Sequence, residues 1–182
     1  MDDEKKQFRR RMLNEQKHLP QDYIAQASEI IQEKVLSMKQ YRAAQSVFLY
    51  VSTDREPSTL RLLRHALESG KSVYVPKCIN RREMLAVRIH SLAELEPGAW
   101  GIPEPRQRTE EITADALDFI LVPCVCASPD GKRLGHGAGY YDRFLAGKAD
   151  HAVCLCFHRM IRDDIPITDN DAIIPMVLTE EE

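Results

Sequence analysis

The chain has 182 residues, of which 43% are hydrophobic and 29% charged, and a formal net charge of −3. That size predicts one domain, residues 1–182, able to bury its own core without staples, and the acidic balance argues against a general nucleic-acid binder. No apolar run approaches the ~18 residues needed to span a bilayer, and the charged start MDDEKKQFRRR lacks the apolar centre of a signal peptide, so a cytoplasmic monomer with small-molecule partners and no membrane is expected.

Two helices open the chain. The first is predicted from about Asp3 to Lys17, and the second, after Pro20, carries Ile24, Ala27, Ile30, Ile31, Val35 and Met38 at helical spacing. Ser46 to Val51 reads as a buried strand, Pro57 to Glu68 as a helix stopped by Gly70, and Ser72 to Val75 and Met84 to Ile89 as strands. A proline-rich loop runs from Pro97 to Pro105. Leu117 to Val125 is the next strand, followed by a glycine loop and a helix over Tyr140 to Leu145. Ala152 to Phe157 and Ile173 to Leu178 complete the strands. Strands alternating with helices predict an α/β domain, a three-layer α/β/α sandwich around a mostly parallel sheet. Ligands of such sheets bind beyond the carboxyl ends of the strands.

Five cysteines include the pairs Cys124/Cys126 and Cys154/Cys156. Both pairs lie in apolar runs, and Cys-x-Cys is tighter than usual zinc spacing. They read as small buried hydrophobes rather than ligands or disulfides.

The densest chemical signal is Arg133-Leu134-Gly135-His136-Gly137-Ala138-Gly139-Tyr140-Tyr141-Asp142, with three alternate glycines between a cation and a tyrosine pair with a carboxylate. Glycines allow close backbone approach, and successive N–H groups make an anion-binding nest. Arg133 offers a forked donor to phosphate oxygens, and Asp142 a hard oxygen for the magnesium that accompanies ATP. A glycine turn can equally be a plain connection between strand and helix; the fixed offsets of Arg133, the tyrosines and Asp142 favour a ligand.

The stretch from Leu121 to Leu145, LVPCVCASPDGKRLGHGAGYYDRFL, resembles the signature of the 5-formyltetrahydrofolate cyclo-ligases, and the resemblance runs nearly end to end. Lys5 and Arg9 stand four apart near the start, Glu56 and Thr59 lie in REPST, and Trp100-Gly101-Ile102-Pro103-Glu104-Pro105 is similar to a family segment. The family closes 5-formyltetrahydrofolate into 5,10-methenyltetrahydrofolate, using ATP and magnesium and releasing ADP and phosphate. The resemblance implies that Lys5, Arg9 and the loop from Arg133 to Tyr141 hold ATP, with Arg133 and Tyr140 catalytic. It further implies that Val51, Glu56, Trp100 and Tyr140 border the folate, and that Asp142 and Asp171 hold magnesium. By residue type alone, the basic cluster can be a solvated helix face, Glu56 a helix-start charge and Asp171 one more surface acid.

Several positions depart from the family pattern. Cys124 and Cys126 stand where glycines are usual, Ala127-Ser128 where Phe-Asp is common, Met160 at a glutamine position and Pro175 at an aspartate position, while Ala138 replaces a small or basic residue within the loop. These leave the three glycines, Arg133, both tyrosines and Asp142 intact. Two other classes of function fit the residues: a non-catalytic folate or nucleotide binder, and an α/β enzyme of sugar phosphates or coenzyme A esters. The latter has no need of Lys5 and Arg9 together.

Overall fold

Helical periodicity and burial agree from the first turn onward. In the computed structural model, which describes residues 2–181, helix α1 (Asp2–Lys17) buries Phe8, Met12 and Gln16, one per turn. Helix α2 (Gln21–Ser37) starts directly after Pro20 and buries Ile24, Ala27, Ile31 and Val35 along one stripe. A short helix α3 (Lys39–Ala43), absent from the sequence reading, turns the chain into strand β1 (Ser46–Phe48). Helix α4 (Leu60–Glu68) buries Leu62, Leu63 and Ala66. It ends at Gly70, whose φ of +77° lets the chain reverse into β2 (Ser72–Cys78). Then follow β3 (Met84–Ile89), a small ribbon of β4 (Leu95–Pro97) with β5 (Pro103–Pro105), and β6 (Glu111–Ile112). Strand β7 (Phe119–Pro123) leads to a second ribbon, β8 (Cys126–Ala127) with β9 (Arg133–Leu134). Helix α5 (Tyr140–Phe144), β10 (Ala152–Leu155) and β11 (Met176–Leu178) close the chain.

Seven strands form the central sheet in the order β11-β10-β7-β1-β2-β3-β6. Pairing is parallel from β11 through β2, and only β3 runs against its neighbours, so the sheet is mostly parallel. Val47 pairs with Phe119 and Phe48 with Ile120, which puts each pair on its own face. Tyr41 of α3 packs edge-on to Phe119 at 5.5 Å, and Phe144 of α5 lies 4.9 Å from Phe48. Helices therefore cover both faces, the α/β/α arrangement expected.

The differences are at element ends and have local causes. The predicted strand over 46–51 stops at Phe48, although Leu49 and Tyr50 remain wholly buried. The predicted helix from Pro57 begins at Leu60. Both ends are held by a knot of bonds: Thr59 Oγ1 donates to Tyr50 O at 2.6 Å, the Thr59 amide to Ser52 Oγ at 3.1 Å, and Tyr50 Oη to Pro57 O at 2.8 Å. Residues 50–59 thus fold back on the strand end, because side-chain oxygens satisfy backbone groups that a helix would otherwise use. The hydrophobic runs at 117–125, 152–157 and 173–178 likewise exceed their strands, since burial continues past the last ladder bond, whereas β2 extends beyond Val75 through its hairpin with β3. All cysteines are free, and the four of the Cys-x-Cys pairs are buried. Among the described residues no helix is long and apolar enough to cross a membrane.

Candidate active site

Strand β1 is flanked by β2 and β7, and the chain leaves β1 toward β2 but leaves β7 toward β10 on the other side, so a crevice opens beyond the carboxyl ends of β1 and β7. Two chain segments that follow these strands supply its floor. The folded-back loop after β1 presents Glu56, which is only 5% exposed. Its Oε2 accepts from the Thr53 amide at 2.8 Å, and its Oε1 lies 3.3 Å from His136 Nε2. After β7 the β8/β9 ribbon returns the chain so that Arg133, also 5% exposed, reaches under the glycine loop. Arg133 donates from Nη1 to Pro123 O at 3.3 Å and from Nη2 to Asp142 Oδ1 at 2.8 Å. Its Nε is a buried donor without a partner.

The glycines are needed where the chain turns. Gly137 and Gly139 have φ of +109° and +67°, values a side chain rarely tolerates, and the left-handed Gly139 starts α5. At Gly135 a Cβ would stand 3.0 Å from Arg133 Nη1, so a side chain there would crowd the guanidinium on which the loop lies. Helix α5 is five residues long, too short to carry a large dipole; any pull on an anion rests on loop amides and neighbouring cations.

Helix α1 crosses above this loop. Arg9 Nε donates to Gly135 O at 3.0 Å, and Lys5 forms an ion pair with Asp171. Lys5 and Arg9 are half-buried, while Lys6, Arg10 and Arg11 are exposed; Arg11 reaches Asp164 at 3.8 Å on the outer side. Burial alone would raise the Asp171 carboxyl, but bonding from Lys5 and from the Thr168 amide at 2.6 Å outweighs it and holds the pKa below the ordinary value. The amide of Ala172 donates to Asp142 Oδ1 at 3.2 Å, which brings the two aspartates to adjoining segments. Two hard carboxylates so placed fit magnesium, which takes one or two protein carboxylates and completes its shell with phosphate oxygens and water. Among the described residues no three His, Cys, Asp or Glu groups could enclose an ion unaided, so such a cation would need a ligand's oxygens.

These groups line one cleft of about 1010 Å³, which also takes in Val51, Trp100, Tyr140 and Tyr141. Trp100 sits at the turn of the β4/β5 ribbon with φ of +61° and is 81% exposed, at the rim rather than in the wall. Tyr140 Oη donates to Asn80 O at 2.8 Å, joining α5 to the β2/β3 hairpin. Tyr141 lies against Phe48, and burial pushes its hydroxyl well above the ordinary value. Ala138 O accepts from Arg143 Nη2 at 2.6 Å. Leu134 alone among the expected residues turns away: it is fully buried in the core and offers the cleft no side chain.

Other cleft residues were not singled out from sequence. Cys78 ends β2, Met84 starts β3, Glu104 lies in β5, and Thr168 bonds Asp171. Cys78 and Met84 read as ordinary apolar strand residues. Glu104 was visible as a charge between two prolines, although only the fold shows that it points inward.

Residues 1–180 match the model of the 5-formyltetrahydrofolate cyclo-ligase family. A Caenorhabditis elegans protein described as a probable 5-formyltetrahydrofolate cyclo-ligase is 33% identical over 169 residues, covering 85% of this chain and 82% of its own. The Saccharomyces cerevisiae 5-formyltetrahydrofolate cyclo-ligase is 30% identical, with 84% of each chain covered. Among solved structures, Aquifex aeolicus 5,10-methenyltetrahydrofolate synthetase superposes with a TM-score of 0.86 at 28% identity, over 98% of this chain and 90% of that one.

Proposed function

The chain belongs to the 5-formyltetrahydrofolate cyclo-ligase family, and from that premise we propose that it is an enzyme, working as a one-domain monomer, that closes 5-formyltetrahydrofolate to 5,10-methenyltetrahydrofolate with ATP and magnesium. The observation that carries the reading is the meeting, in one cleft, of the glycine loop, the inner face of α1 and the buried carboxylate Glu56. A phosphate-binding layout and a hydrogen-bond acceptor for a pteridine ring lie within reach of each other.

The reaction needs positioning and charge neutralisation more than covalent help from the protein. In the first step the formyl oxygen attacks the terminal phosphorus of ATP, the bond to the bridging oxygen breaks, and ADP departs. In the second, N10 attacks the activated formyl carbon, the carbon–oxygen bond breaks with its electrons going to phosphate, and N10 loses its proton. Arg133 has a free Nε and lies under the loop, a position from which it can stabilise charge on the transferred group. Lys5 and Arg9 would hold the outer phosphates, and the loop amides would bind oxygens at close range. Asp142 and Asp171 would hold magnesium, which when bound neutralises phosphate charge. Glu56 would accept paired hydrogen bonds from the pterin edge, with Val51, Tyr140 and Trp100 bordering the ring.

The direct test is the purified protein with 5-formyltetrahydrofolate, ATP and magnesium. Methenyl product and ADP should form in equal amounts, and neither without the other substrate. Binding of both ligands with no ADP would instead make the chain a binder of the same fold.

A further inference from the structure

Glu104 is 7% exposed, lines the cleft, and forms no ion pair with any described Lys, Arg or His. The Cys78 thiol, a weak donor at the end of β2, is a near neighbour in the same cleft. Burial, and then the Glu104 charge, pushes that thiol up to about 11. A carboxylate in a cleft wall with no cation beside it is seldom kept for packing.

The surroundings are built to hold it. A Cβ on Gly98 would stand 2.5 Å from Glu104 Cγ and Cδ, so the side chain lies flat against a backbone position that only glycine leaves open. Gly98 N donates to Ile102 O at 2.9 Å, closing the ribbon beneath it. Lys77 Nζ donates to Pro105 O at 2.6 Å, which pins β5 to β2 and spends that nearby cation on a carbonyl.

We infer that Glu104 is a second substrate-recognition carboxylate, which accepts a hydrogen bond from an N–H donor of the reduced folate on a wall separate from that of Glu56. The inference rests on the folate reading above and extends it. A reduced pteridine with its attached arylamine carries more N–H donors than Glu56 alone can accept, and a second carboxylate in the cleft wall can take one of them. The site would therefore discriminate against ring analogues lacking that donor, because their binding would cover the carboxylate without giving it a partner.

The test uses the full chain and measures dissociation constants for 5-formyltetrahydrofolate and, separately, for a non-hydrolysable ATP analogue with magnesium. Glu104→Gln keeps the shape and an acceptor oxygen, and should weaken folate binding roughly tenfold; Glu104→Leu removes the acceptor and should weaken it by up to about 150-fold. Affinity for the ATP analogue should stay within about twofold in both, and the melting temperature should hold or rise as the buried charge disappears. Folate affinity equal to wild type in both variants would overturn the inference. So would parallel loss of both ligands with a lower melting temperature, which marks a structural role. Failure of the wild-type chain to bind 5-formyltetrahydrofolate would overturn the folate reading itself, and this inference with it.

Discussion

The two ends of the cleft treat charge in opposite ways. Under α1 and the glycine loop two cations pair with carboxylates, Lys5 with Asp171 and Arg133 with Asp142. Elsewhere in the cleft the protein buries carboxylates without a permanent cation: Glu56, on the loop after β1, meets an amide and His136, and Glu104, on the β4/β5 ribbon, lies beside a thiol. An end whose ion pairs can open and re-form suits an anion that arrives with its own metal, since both partners find new ones. An end with lone acceptors suits a neutral, donor-rich ring. On the proposed reading, the difference in pairing, more than the count of charges, separates nucleotide from folate.

The largest expected break in this contrast is Asp142→Asn. It removes a proposed metal oxygen and also the anion facing Arg133, whose side chain is only 3% exposed. Turnover should fall by roughly 100-fold or more, the scale found when one pre-organised electrostatic group is lost. Stability should fall as well, by ~1.5–3 kcal/mol for a truncated charged hydrogen bond, visible as a lower melting temperature. An unchanged rate at limiting magnesium would remove Asp142 from the metal site.

At the other end, Glu56→Gln exchanges one acceptor for a donor. Folate affinity should drop roughly 10- to 150-fold while the ATP analogue binds as before. Calorimetry with each ligand separates this from a folding defect, in which both affinities would decline together.

The smallest effect sits where the two ends touch. His136 belongs to the glycine loop yet reaches Glu56, and it is 53% exposed. Contacts of that exposure contribute about 0–1 kcal/mol, so His136→Ala should change folate affinity by less than about fivefold. A larger change would mean that the loop and the folate wall act as one unit.

Much of this was legible in the sequence, for reasons that differ by region. Helical spacing over α1 and α2, the stop at Gly70 and the alternation of strands and helices located the sheet. The glycine loop announced itself because its constraint is local: φ values and close approach are written in adjacent residues. Lys5, Arg9 and Asp171 were singled out only through resemblance, since their meeting depends on α1 crossing the sheet mouth. The two ends of the loop, residues 49–51 and 57–59, were misread as strand and helix because Thr59 and Ser52 bond back to the strand end, a long-range choice that apolar spacing does not encode. Leu134 was included with its loop neighbours but faces the core, as strand alternation beside buried Arg133 could not decide. Glu104 was hidden for the same reason, one charge among many until the ribbon folds it over Gly98.

The central claim is that the inner face of α1 serves the nucleotide end alone. Titrating the Lys5→Met, Arg9→Met double variant with both ligands tests it most directly. The account predicts at least roughly tenfold weaker binding of the magnesium-loaded ATP analogue, little change for 5-formyltetrahydrofolate, and near wild-type behaviour for the matching Arg10, Arg11 double variant on the outer face. Equal loss of both ligands, or equal ATP losses in the inner and outer variants, would contradict it and reduce the helix to a general basic surface.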